Sequence, residues 1–333
     1  MVNHPAARAA AIALIGAVAG CHTFQDPNVV VDLRVLALAA EPPDQVVEVD
    51  LTQPVDPTAL LRQLVPTTVC ALVADPPARR LTWRMTMCAP TSDQRCDDTD
   101  PQIGAGVAGD PDAAQPQPAL CGTVMPDAQL LALLVRAAKD DVLHGLGGLD
   151  YQLSLRIGGE DDDRALDLYA GKTLRVYPKL PPSRTANTNP RLDRIDATIG
   201  VGADDAPTQA LALGRCADQP APLTVPAGTK LRMTPVEPPD VRESYVIPTL
   251  DGKVQTFTET LRYQWIASAG GFSRGTSGGP HDVSGNPAPL FSDFTAPGKG
   301  DVPAPTDVSI WLIQRDERLG VRWFETCVRV VPP

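Results

Sequence analysis

Apolar and polar residues alternate along much of this chain. Leu81, Trp83, Met85 and Met87 take turns with Thr82, Arg84 and Thr86. A period of two places the two sets on opposite faces of a half-buried strand. Tyr151 to Ile157 repeats the pattern, and Arg164 to Tyr177 reads as one or two further strands. Val29 to Leu38 is a Val-rich strand interrupted by Asp32 and Arg34. It closes at Glu41-Pro42-Pro43, because proline restrains the residue before it and has no N–H for a ladder. Thr67 to Ala74 is a second β-rich run, closed by Asp75-Pro76-Pro77. Helical spacing enters at Leu130, Leu131, Leu134 and Val135, which share one face of a helix opened by Pro126 and Asp127 and running to about Lys139. Cys88 to Gly122 has no period and reads as a long, Cys-rich surface loop.

Pro178 to Asn189, with Pro181, Pro182, Asn187 and Asn189 and few large apolar residues, reads as a linker. A second β pattern follows. Leu223 to Met233 turns at Pro226-Ala227-Gly228, and Val254 to Ala267 is a strand region with Tyr263, Trp265 and Ala267 on one face. Gly270 to Pro289 is a Gly-rich loop. Asp307 to Gln314 and Val321 to Val331 are strands joined by a hairpin loop, Arg315 to Gly320. Short strands punctuated this regularly predict β-sandwiches. The expected fold is mainly β: two Ig-like β-sandwich domains in tandem, at 29–178 and 191–333 around a linker at 179–190. The first carries the short helix and the long loop.

The N-terminus follows a different pattern. Arg8 flanks an apolar stretch from Ala9 to Ala19, too short to cross a bilayer and laid out as an export signal. It ends in Gly20-Cys21. Small residues before this cysteine resemble the lipobox of bacterial lipoproteins, which implies cleavage before Cys21 and lipid on it. Residues 1–21 are then the signal, 22–28 a tether, and the membrane a partner reached through the anchor. His22, not Asp, after the cysteine is similar to lipoproteins of the outer membrane.

Composition agrees with an exported body. The net charge is −11, so nucleic acid is not an expected partner. There are 35 Pro and 26 Gly, which suits many turns. Besides Cys21 there are six cysteines: Cys70, Cys88, Cys96, Cys121, Cys216 and Cys327. An even set in an exported chain points to disulfides. Cys88–Cys96 or Cys96–Cys121 pins the long loop, and Cys216–Cys327 clamps the second domain. No C-x-x-C occurs and no histidine stands beside a cysteine pair, so neither a zinc site nor another cofactor is expected.

Asp32-Leu33-Arg34-Val35-Leu36-Ala37 with Glu41-Pro42-Pro43, Tyr263-Gln264-Trp265 and the hairpin around Arg315-Asp316 resemble the predicted surface lipoproteins of myxobacteria. The terminal hairpin also resembles the last strands of PKD-like and immunoglobulin-like domains. The resemblance implies Ig-like surface domains with no known activity. Cys70 and Trp83 have a spacing reminiscent of the Ig strand-B cysteine and strand-C tryptophan, but Tyr151 to Ile157 has no cysteine to complete an inter-sheet bridge.

Three groups of residues bear on chemistry. Gly275-Thr276-Ser277-Gly278-Gly279-Pro280 resembles the nucleophile loop of chymotrypsin-like proteases, which needs a histidine base. His144 and His281 are the candidates, and a flexible Gly/Ser loop explains the same residues. Asp97-Asp98-Thr99-Asp100 and Glu160-Asp161-Asp162-Asp163 offer oxygens to calcium without EF-hand spacing and read first as solvated turns. Trp265, Trp311 and Trp323 offer a sugar-stacking surface, but Trp265 and Trp323 read first as core, and Trp311 alternates with Ile310 and Leu312, so that one of these two strand faces is expected to be exposed. The expectation is a non-enzymatic, lipid-anchored protein of the bacterial envelope, with an adhesion, scaffolding or binding role toward an envelope protein or polysaccharide. A carbohydrate- or calcium-binding module is the alternative, and a serine hydrolase a remote one.

Overall fold

The computed structural model describes residues 26–50, 52, 56–109, 120–142, 145–159, 167–200, 206–249, 251 and 253–333. Cys21, His22, His144 and Glu160–Asp163 lie outside them.

The first domain is a sandwich. One sheet pairs β1 (Arg34–Glu41), β3 (Thr67–Ala74) and β6 (Leu120–Val124) in that order, all antiparallel. The other has the order β2 (Gln45–Val47), β8 (Leu168–Pro178), β7 (Leu149–Gly159), β4 (Leu81–Cys88) and β5 (Gln102–Ala108). The chain leaves β1 at Pro42 and crosses to the second sheet, where β2 runs parallel to β8. Met85 and Met87 of β4, Tyr151, Leu153, Leu155 and Ile157 of β7 and Val69 and Ala71 of β3 fill the space between the sheets. A short helix, α1 (Pro57–Leu61), precedes β3, and α2 (Ala128–Asp140) buries Leu130 and Leu134 against the same core. Asp127 caps α2 by accepting the N–H groups of Gln129 and Leu130, two of the donors a helix start leaves open.

The second domain repeats the plan. Its sheets have the orders β10 (Thr208–Leu211), β9 (Arg194–Ile199), β12 (Lys230–Val236), β18 (Ser292–Thr295), β16 (Gly271–Phe272), and β11 (Leu223–Pro226), β20 (Val321–Val331), β19 (Thr306–Arg315), β15 (Arg262–Ala267), β17 (Thr276–Gly278). Again a short strand, β11, lies parallel to the last one, β20. Both domains are mainly β sandwiches. A separate hairpin joins β13 (Ser244–Pro248) to β14 (Val254–Thr258). Trp265, Tyr263, Phe294, Leu312 and Val328 are fully buried between the sheets.

Three sequence expectations are corrected. Cys88 to Gly122 is not one loop: β5 and most of β6 lie within it. β5 is Gln-Ile-Gly-Ala-Gly-Val-Ala and so carries no apolar period. Its small residues answer a neighbour, since a Cβ at Gly106 would stand 3.0 Å from the indole nitrogen of Trp83. Gly270 to Pro289 likewise contains β16 and β17. Val254 to Ala267 divides into β14 and β15, which belong to different sheets.

The sandwiches meet face to face. Along β19, Val308, Ile310 and Leu312 point into their own core, while Trp311 and Ile313 point outward. With Ile266 and Val321, these outward residues pack against Val30, Leu36, Ala37 and Ala74 of the first domain. Trp311 is thus buried at the junction, with 9% of its surface exposed. β1 and β19 are near-continuous apolar runs because each is covered on both sides. Val29 adds a parallel bridge to Ala267 of β15. The segment 179–190 is tied down at its end: Asn189 donates to the carbonyl of Ala40 and to Glu41 and accepts from Val321 N–H, so it touches both domains.

Ile313→Ala removes a fully buried side chain from the junction. It lowers the unfolding free energy by about 3 kcal/mol. The fluorescence and far-UV circular dichroism transitions in urea stay coincident. Two separated transitions, with only one displaced, would mean that the domains unfold independently.

Candidate functional site

The six described cysteines form three disulfides. Cys88–Cys96 pins the turn after β4, and Cys216–Cys327 ties a short 3-10 turn, Cys216–Asp218, to β20. Cys121 joins Cys70, not Cys96. The two stand opposite each other on the antiparallel neighbours β3 and β6, so the bridge lies within a sheet rather than across the sandwich.

Ser277 lies on β17 and is buried. Its oxygen accepts the indole N–H of Trp265 at 2.8 Å, and its hydroxyl donates to the carbonyl of Leu290 at 2.7 Å. A hydroxyl committed on both sides is not presented to a substrate, and His281 stands exposed on the loop that follows. Gly275 serves close approach: a Cβ there would fall 2.1 Å from Asn28 Oδ1. The resemblance to a nucleophile loop therefore gains no support from the geometry.

The acid run after Cys96 is engaged by its surroundings. Asp100 accepts the N–H of Asp97, and Asp98 lies 3.5 Å from Arg156. Cys88, Cys96 and Asp100 bring three ligand-type atoms together, but the two sulfurs are bonded to each other and are not thiolates.

Two other places collect polar side chains from both domains. The first surrounds Arg318 in the β19–β20 hairpin. Its guanidinium donates to Glu243 at 3.3 Å, Glu259 at 3.2 Å and the carbonyl of Thr185 at 3.0 Å. Asp44 Oδ2, from the first domain, lies 3.9 Å away with no donor in hydrogen-bond reach among the described residues. Asn187 bridges the parts: its N–H donates to Asp44, and its amide to Asp316 and the carbonyl of Arg318. Lys172 of β8 donates to the carbonyl of Leu319 at 2.9 Å. One guanidinium shared by several enclosed carboxylates does not neutralise them all. Burial, and then the neighbouring Asp316, push Glu259 up to about 7. Burial also raises Asp44 and Asp316, and pushes Lys172 down to about 8.

The second place is a cleft of about 750 Å³ at the edge of the junction. Leu72 and Val73 of β3 form one wall, and Trp311 and Trp323 the other. The two tryptophans share a sheet face, because Trp311 pairs with Glu325, two residues beyond Trp323. Arg79 and Arg215 stand at the rim. Asp75 and Asp32 hold Arg79, and Asp218 holds Arg215 at 2.9 Å. Glu325 is half-buried beside Arg215, and burial raises its pKa. Sequence reasoning singled out Trp311 and Trp323 but missed Arg79, Arg215 and Glu325, which read as ordinary surface charges. Asp44, Asn187, Glu259 and Arg318 were missed for the same reason.

No protein-family model matches the chain, and neither does any curated protein. Among solved structures, it is similar to the native conformation of E. coli alpha-2-macroglobulin, at 11% identity and a TM-score of 0.21, over 92% of this chain and 17% of that one. It is also similar to dimeric latent PorU from Porphyromonas gingivalis, at 9% identity and a TM-score of 0.19, over 90% of this chain and 24% of that one. The chain thus spans less than a quarter of either protein, and scores this low say nothing of its activity.

The cluster around Arg318 predicts a pH dependence. The folded state keeps a proton on Glu259 between its ordinary 4.5 and about 7, where the unfolded chain has released it. Stability therefore falls as pH rises through that window, by up to about 3 kcal/mol for a shift of this size. Lys172 works the other way, restoring stability between about 8 and 10.5. Urea titrations of Glu259→Gln show a shallower decline from pH 4.5 to 7, and an unchanged slope would refute the assignment. Ser277→Ala strands the Trp265 N–H and the Leu290 carbonyl and costs about 2 kcal/mol, read from the urea midpoint.

Proposed function

We propose that this chain is a lipid-anchored protein of the bacterial cell envelope, held at the outer membrane through Cys21, with a non-enzymatic binding or scaffolding role. The pairing of the cysteines carries the reading. Six join one another, which suits an oxidising compartment and leaves Cys21 no cysteine in this chain to join. A cysteine preceded by small residues at the end of a short apolar signal has lipid attachment as its role. Buried acyl chains then supply the membrane affinity, so the domains need no apolar membrane face. No helix among the described residues is long and apolar enough to cross a membrane.

Two β-sandwich domains packed face to face, with a cleft at their junction, support binding. Domain interfaces are common places for ligand sites, and the walls here come from both sandwiches. The partner is an envelope protein or polysaccharide.

Cys21→Ala moves the protein from the membrane fraction to the soluble one and abolishes incorporation of labelled palmitate. Unchanged membrane association of the variant would overturn the anchor.

A further inference from the structure

The cleft beside Trp311 and Trp323 has a defined chemistry. Its size lies within the range of small-molecule sites. Trp323 is half-buried, Trp311 faces away from its own core, and Leu213 opposite is 40% exposed. The apolar walls favour a ligand with flat apolar faces, and the electron-rich face of an indole suits polarised C–H groups.

The rim selects further. Arg79 and Arg215 are each held by carboxylates, so an anionic polymer finds no unmatched cation in either. The carboxylates are equally engaged. Asp75 accepts the Arg79 backbone and guanidinium, Asp218 grips Arg215 with both oxygens, and burial favours the neutral form of the half-enclosed Glu325. A cationic ligand therefore meets no bare negative charge there. These fixed pairs still present outward guanidinium N–H edges and carboxylate lone pairs, the planar donors and acceptors that neighbouring hydroxyl groups use.

We infer that the cleft binds a neutral saccharide, its C–H face on Trp323, with Trp311 backing the wall from the junction, and its hydroxyls on the Arg79–Asp75 and Arg215–Asp218 pairs. This deepens the binding role proposed above and rests on it. Trp323 is the anchor, because it is the more exposed of the two rings. Leu213 is the wall residue at which a bulky charged side chain closes the site.

The test uses the full chain carrying Cys21→Ala. Maltohexaose, cellohexaose, laminarihexaose, xylohexaose, mannohexaose and chitohexaose are titrated by calorimetry and indole fluorescence. Dextran sulfate and polylysine are the charged controls. The expected result is saturable binding of at least one neutral hexasaccharide with a change in indole emission. Trp323→Ala and Leu213→Arg each weaken it at least about tenfold, with the thermal midpoint retained. Trp311→Ala also weakens binding, but it thins the junction and is read beside its midpoint. Three results would overturn the inference: no binding across the six, equal affinity in Trp323→Ala and Leu213→Arg, or binding of the charged polymers alone. Concentration-dependent dimerisation that Trp323→Ala abolishes would assign the cleft to a second copy instead. Capture of an envelope protein that depends on Trp323, with no saccharide bound, would keep the binding role and refute the saccharide. Membrane retention is read separately through Cys21.

Discussion

The architecture depends on burying the central sheets on both faces. β1 and β3 on one side, β19 and β20 on the other, each present one face to a sandwich core and one to the opposite domain. A sheet exposed on one face tolerates polar residues at every second position, but a sheet covered on both does not. This explains why Ile310, Trp311, Leu312 and Ile313 follow one another without a polar break. It also explains why residues 179–190 serve as a brace, with Asn187 and Asn189 bonded to both domains.

A cluster of charges borders this apolar contact. The β19–β20 hairpin inserts Arg318 among Asp44, Glu243 and Glu259, and Asn187 ties Asp44 to Asp316. Enclosed charges cost free energy unless they are paired and hydrogen-bonded, and removing one partner is far more damaging than replacing the whole set. The raised pKa of Glu259 records that cost. The polar ties that reach the first domain here are the Asn187 N–H to Asp44 and Lys172 to the carbonyl of Leu319.

Strands with alternating patterns were legible from the chain alone. Thr67–Ala74 and Leu81–Cys88 appear with the expected bounds, α2 lies one residue from its predicted end, and the terminal hairpin is where its turn residues place it. β5, β16 and β17 were not legible. β16 is two residues long, Gly271–Phe272, too short to show a period, while small residues in or beside the other two answer a neighbour: Trp83 at Gly106, and Asn28 at the Gly275 that leads into β17. Local periodicity carries no trace of a neighbour distant in sequence. Cysteine pairing shows the same limit. Cys88–Cys96 is local and Cys216–Cys327 was anticipated, but Cys70–Cys121 required knowing that β3 and β6 are partners.

By itself, the sequence determined the class of the molecule: mainly β structure built of short strands, with an even set of cysteines fit to pair. The strands follow from local rules, since periodicity and turn residues act within a few positions. Tertiary structure decided that Trp311 faces another domain instead of solvent. It turned Ser277 from a candidate nucleophile into the hydrogen-bond partner of Trp265. It also placed Arg79 and Arg215, distant in sequence, at one rim. Each outcome depends on which sheet face lies against which, and that is settled by burial of apolar area across the whole chain.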